Sequence, residues 1–90
     1  MNEMKIIWEK STQEKFQKII RGIPDPIRGI AETRVSKKAE NIVRQANRTE
    51  VNEKDMVDAF FAETPFGFHG PMKNDMKAVG VDYMKYGYDK

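Results

Sequence analysis

Residues 25–47 read DPIRGIAETRVSKKAENIVRQAN. Asp25-Pro26 is a strong helix start: aspartate can cap free amides, and proline at the first helical position loses no hydrogen bond. Beyond it Ile27, Ile30, Ala31, Val35, Ala39, Ile42, Val43 and Ala46 recur at helical spacing, which predicts an apolar stripe about six turns long. Glu40 and Arg44 are spaced to pair on the outer face. Gly29, Thr33 and Ser36 are weak helix formers. A break between Thr33 and Ser36, with Ser36 capping a second segment, is therefore the alternative to one continuous helix from about Pro26 to Asn47.

On the N-terminal side, Ser11-Thr12-Gln13-Glu14 fits a capping box. It predicts a helix over residues 12–21 with Phe16, Ile19 and Ile20 on its apolar stripe. Gly22 ends it, because glycine accepts the left-handed conformation at low cost. Ile7 and Trp8 precede the cap and are expected to fold onto the same face. On the C-terminal side, Thr49-Glu50-Val51 is too short for an ordinary strand but can bridge or turn. Asn52 caps a further helix, with Glu53 and Asp55 in its first turn where the helix dipole favours acids. Met56, Val57, Phe60 and Phe61 form its inward stripe, and Pro65 stops it. Residues 65–71 hold two prolines and two glycines, a stiff turn-rich loop gripped by Phe66 and Phe68. A fourth helix is expected from about Met72 to Val79, stopped by Gly80. The tail carries Tyr83, Tyr86 and Tyr88 among Asp82, Lys85, Asp89 and Lys90.

The expected fold is all-α: a small three- to four-helix domain with a long central helix, in a helix-turn-helix-like arrangement. It reads as a single domain over residues 1–90, with a helical core over 8–61 and a C-terminal extension over 65–90. Core candidates are Trp8, Phe16, Ile19, Ile20, Ile27, Ile30, Val35, Ala39, Ile42, Val43, Met56, Val57, Phe60 and Phe61. A chain of 90 residues buries only about 60–65% of the surface its unfolded form exposes, so stability is modest.

The chain has no cysteine, which removes disulfides, thiolate metal sites and thiol nucleophiles. No run approaches the roughly 20 apolar residues of a membrane span, and Met1–Lys10 lacks the apolar stretch of a signal peptide. The expected setting is the cytoplasm, with no membrane partner. Net charge is only +2 but unevenly placed. Residues 26–48 carry six basic and two acidic side chains; residues 49–64 carry five acidic and one basic. Mutual attraction of neighbouring helices accounts for this, and a basic face for nucleic acid or an acidic partner is the functional counterpart.

No phosphate loop, dinucleotide fingerprint or nucleophile motif is present, and the acids are scattered. His69 is the only histidine; it lies between glycines as a turn-packing or surface residue rather than a ligand or base. The sequence therefore implies no enzyme, catalytic residue, metal or cofactor. Aromatic and methionine side chains concentrate after residue 64, and such residues either cover the core or anchor an interface. Phe66, Phe68, His69, Met72, Met76, Tyr83 and Tyr86 are the candidate interaction surface for a protein partner or for self-association. Arg34, Lys37, Lys38, Arg44 and Arg48 are a candidate basic face.

From Trp8 to about Ala59, somewhat over half the chain, the sequence resembles the small C-terminal domain of the B subunit of light-independent protochlorophyllide reductase. It also resembles the stand-alone proteins that share this domain. The resemblance rests on Trp8, the Ile23-Pro24 step with Ile27-Arg28 after it, and the basic and small residues alternating from Arg34 to Arg44. Glu50-Val51-Asn52, leading into a helix with Met56 and Ala59, completes it. The segment between Ile27 and Val51 is roughly one turn longer than in the fused domain, and residues 65–90 have no counterpart in it. The resemblance implies a small helical accessory module and carries over no catalytic residue. A second resemblance, through Arg34-Val35-Ser36 and Thr49-Glu50-Val51-Asn52 before Asp55-Met56, is to the second half of an archaeal histone fold. It implies nucleic-acid binding through the basic face. An early glycine in the long helix and the acidic helix after it depart from that pattern.

Overall fold

The structure, a computed structural model, describes residues 5–88; Met1–Met4 and the tail residues Asp89 and Lys90 lie outside the described residues. It is a small all-α domain, as expected. In chain order come β1 (Ile7–Trp8), α1 (Lys10–Arg21), α2 (Asp25–Gln45), β2 (Glu50–Val51), α3 (Glu53–Glu63), a 3-10 turn (Phe66–Phe68), α4 (His69–Ala78) and a second 3-10 turn (Tyr83–Tyr86). Among the described residues no helix is long and apolar enough to cross a membrane.

Helix α1 begins two residues before the expected start. Thr12 is buried, so its hydroxyl needs a partner, and the Glu9 carboxylate supplies one at 2.6 Å. Glu9 also accepts from the Ser11 hydroxyl at 3.5 Å, so Ser11 lies inside the first turn and caps nothing. Gly22 ends α1 without left-handed backbone (φ −78°). Its small size answers a different need: a Cβ there would lie 3.3 Å from Asp75 Oδ2. Arg28 then secures the corner, donating from Nε to the Ile23 carbonyl at 3.1 Å and from Nη2 to the Arg21 carbonyl at 3.4 Å.

Helix α2 is unbroken through Gly29, Thr33 and Ser36, and the Ser36 hydroxyl bonds back to the Thr33 carbonyl at 3.2 Å. Asp25 is its first residue rather than its cap and pairs with Arg28 at 2.7 Å. Glu40 and Arg44 do not pair with each other. Glu40 accepts from Trp8 Nε1 at 3.1 Å, and Arg44 reaches Asn41 at 3.4 Å. Asn47 adopts the left-handed conformation (φ 58°), and Arg48 N–H returns to the Val43 carbonyl at 2.9 Å. This is a Schellman ending with asparagine in glycine's usual place.

The bridging expected of Thr49-Glu50-Val51 takes the form of a two-residue parallel pairing, Ile7 with Glu50 and Trp8 with Val51. It ties the N-terminal segment to the α2–α3 corner, where Trp8 packs on Phe16 with ring centroids 4.9 Å apart. Asn52 caps α3 reciprocally with Asp55: Asp55 N–H donates to Asn52 Oδ1 at 3.1 Å, and Asn52 N–H donates to Asp55 Oδ2 at 2.9 Å. Helix α4 starts at His69, three residues before Met72, because Pro71 falls in its first turn, where no N–H is needed. Gly80 (φ 81°) ends it, and Val81 N–H closes on the Met76 carbonyl at 2.9 Å.

α3 packs along α2 more extensively than any other pair of elements. Phe16, Ile19, Ile20, Val35, Ala39, Val43, Met56, Val57 and Phe60 are buried as expected, and Trp8, Ile42 and Phe61 pack partly buried against them. Ile27 and Ile30 are not core: they are 48% and 58% exposed. At about 100° per residue, Val35 and Val43 lie roughly 40° to either side of Ala39 and share one stripe, whereas Ile27 lies roughly 120° and Ile30 roughly 180° around from Ala39. The i, i+3, i+4 reading merged two faces. Their places in the core are taken by Val51, Ala59, Met72, Met76, Val81 and Tyr83.

Candidate docking cleft

Helices α1, α2, α3 and α4 meet around an open cleft of about 430 Å³. Its floor is apolar: Ile19, Val35, Phe60 and Met72. One wall is the N-terminal half of α2, with Ile27, Ile30, Ala31 and Arg34; the other is Pro65, Phe68, Pro71 and Asp75. Glu63 completes the charged rim. Among the described residues Arg34, Glu63 and Asp75 form no ion pair.

Of the large apolar side chains exposed among the described residues, Ile27, Ile30 and Phe68 line this cleft, while Ile7, Phe66 and Met84 do not. Ile27 and Ile30 stand on one wall; Phe68 is 60% exposed on the other, with Phe66 two residues before it at 88%. His69 holds this loop closed. Its Nε2 hydrogen bonds with the Thr64 carbonyl at 2.8 Å, and its ring meets Phe61 edge-on at 5.1 Å and Phe66 at 5.5 Å. It is a packing residue at the head of α4.

The expected interaction surface therefore divides. Phe66 and Phe68 are displayed, and His69 supports them. Met72 is buried beneath the cleft, while Met76 and Tyr83 are inside the core and offer no surface. They sit there because i, i+4 spacing puts Met72 and Met76 on the inward stripe of α4, and the turn after Gly80 folds Tyr83 back over them. Tyr86 is half-buried and donates to Glu53 Oε2 at 3.0 Å. Ile27 and Ile30 were missed as surface residues. The available signal was their angular position, beside Arg34 rather than Val35.

Tyr86 and Tyr88 fasten the C-terminal segment. Tyr88 stacks on Phe61 (centroids 4.0 Å apart, planes 4° apart), and its hydroxyl donates to Asp58 at 2.7 Å. Glu53 also takes Lys15 Nζ at 2.7 Å. Burial pushes the Glu53 carboxyl up, but the hydrogen bonds from Lys15 and Tyr86 outweigh this and leave it below its ordinary value. Burial and the carboxylate partners push both tyrosines up to about 12. A raised folded pKa means stability that is complete below the ordinary value of 10 and is lost as pH rises through about 12. The Glu53 contribution has the opposite sense and fades as pH falls below 4.5. Helicity should thus hold to about pH 10 and fall over the next two pH units, with part of the tyrosinate absorbance appearing only in that window. Ionisation of all the tyrosines near 10 with helicity unchanged would contradict this fastening.

The basic face also changes. Arg48 is not available: its guanidinium grips buried Asp55 bidentately, Nη2 to Oδ1 at 2.6 Å and Nη1 to Oδ2 at 3.0 Å. The Asp55 hydrogen bond raises the Arg48 pKa further against a smaller opposing effect of burial. Arg34, Lys37, Lys38 and Arg44 remain, within one sector of α2 about 120° wide.

A family model described as "Protein of unknown function (DUF2621)" matches residues 1–88. The chain belongs to this family. No curated protein and no solved structure matches it. The matched span runs past the region of the accessory-domain resemblance to include Phe68, α4 and the tyrosine fastening. Both walls of the cleft therefore lie within the family's unit.

Proposed function

We propose that this chain is a non-catalytic interaction module that docks a partner protein in the α2–α4 cleft, and that it works in the cytoplasm. The observation that carries this reading is the convergence of Ile27, Ile30 and Phe68 on an apolar floor, with Phe66 beside them. Exposed apolar patches of this kind mark interaction sites in soluble domains, and the volume lies within the range of binding clefts. The resemblance between Trp8 and Ala59 supports an accessory role beside a larger enzyme. Its residues hold structural posts here, Trp8 on Glu40 and Asn52 at the head of α3.

The test is recovery of the bound partner with the tagged chain from its native cells. Ile30→Glu and Phe68→Ala should each weaken capture by at least about 30-fold, the effect of losing a hot spot of about 2 kcal/mol. Both side chains are largely exposed, so helicity should be unchanged. Undiminished capture by both variants would place the docking surface elsewhere.

Nucleic-acid binding remains the second reading, favoured by the shared face of Arg34, Lys37, Lys38 and Arg44. It ranks below the first because Arg48 is committed to Asp55 and because Ile27 and Ile30 stand on that same side of α2. Duplex-DNA affinity that falls steeply between low and physiological salt would restore it.

A further inference from the structure

Ile27, Ile30, Arg34, Lys37, Lys38 and Arg44 occupy one outward side of α2. At about 100° per residue, all six fall within roughly 60° of Arg34, except Arg44 at roughly 80°. The acids of this helix, Asp25, Glu32 and Glu40, lie at least roughly 120° away from Arg34. The side is thus apolar along the cleft, from Ile27 to Arg34, and from Arg34 to Arg44 it carries basic residues with Asn41 and Gln45 between them, Glu40 lying roughly 40° beyond Arg44. Among the described residues Arg34, Lys37 and Lys38 pair with no carboxylate, and Arg44 meets only Asn41. Across the cleft the opposite wall is acidic, through Glu63 and Asp75.

We propose that the occupant of the cleft is an amphipathic helix from another protein, with its apolar anchors in one block and its acidic residues in a separate, adjoining block. This rests on the docking reading above. The apolar length from Ile27 to Arg34 spans about 10 Å, two turns, which suits anchors at i, i+3 or i+4, and i+7. The basic length from Arg34 to Arg44 adds about 15 Å. Glu63 and Asp75 repel acids from the cleft half, and the lysines and arginines attract them along the other half, so the two blocks stay apart.

Other occupants fit this surface less well. A second copy laid on this side of α2 brings two basic ridges together. Nucleic acid leaves Ile27, Ile30 and Phe68 uncovered. A flat membrane surface cannot reach the concave floor formed by Val35, Phe60 and Met72.

The test is selection from a displayed library of random peptides against the immobilised full chain. Peptides of about 20 residues cover the roughly 25 Å between Ile27 and Arg44. The enriched peptides should carry separate apolar and acidic blocks and weaken with salt. Binding should be lost with Ile30→Glu and reduced about tenfold or more by Lys37→Glu with Lys38→Glu, helicity of both variants being checked by circular dichroism. Enriched peptides that depend on Ile30 but are neutral or basic, or that ignore the lysine reversal, overturn the acidic assignment and leave the docking reading standing. Enrichment of no peptide that depends on Ile30 overturns both.

Discussion

Replacing Phe60 with alanine should destabilise the domain by about 3–5 kcal/mol. Phe60 is 1% exposed, its ring lies 5.7 Å from that of Phe16, and it also floors the cleft. Truncation removes a large apolar burial and leaves a void bounded by α1 and α2, two elements that the rest of the core holds in place. A domain of 90 residues has roughly 5–13 kcal/mol in total, so the loss is a large share of it. The urea midpoint should fall with little change in slope, and Tm should drop by roughly 15–30 °C. A loss under about 1 kcal/mol would show that α3 is not packed against α1 and α2 as described.

Asp55→Ala should be the most damaging polar substitution, at about 2–3 kcal/mol. One carboxylate does two things there. It closes the reciprocal cap with Asn52, and it receives the Arg48 fork at 2.6 and 3.0 Å. Loss of a cap costs about 1 kcal/mol. Loss of the ion pair costs less than the 3–5 kcal/mol typical of a fully buried pair, because the Arg48 side chain is 40% exposed and can rehydrate. The same corner carries β2, on which β1 pairs, so Trp8 should report the damage. Its fluorescence should shift toward that of a hydrated indole before α2 and α3 unfold. In a double-mutant cycle, Arg48→Ala and Asp55→Ala should couple, the double variant losing less than the sum of the two single losses. Additive losses would mean that the pair does no more than coexist at the corner.

Much of this architecture is legible in the residues. Asn52 followed three positions later by Asp55, Pro65 after α3 and Gly80 after α4 are local signals, and they mark boundaries close to where the chain turns. The parallel bridge was legible only in part, since which strand Val51 meets depends on how α1 and α2 fold between them. The divided face of α2 was harder. An apolar residue every three or four positions satisfies a helical template, yet the stripe drifts around the axis, and only the packing of α3 decides which part is covered. Met72 and Met76 show the converse. Their inward spacing was visible, but a polar, glycine- and proline-containing segment gave little sign that it would close the core. Arg48 reads as surface charge because its partner Asp55 lies seven residues on, beyond the turn at Asn47 and the cap at Asn52.

The docking cleft is tested most directly by photocrosslinking in the native cells, with a photoreactive amino acid placed at Ile30 in one variant and at exposed Glu14 on α1 in another. A discrete crosslinked protein is expected from position 30, absent at position 14 and lost when Phe68→Ala is added. Crosslinks from position 14 with none from position 30 would contradict docking in the cleft.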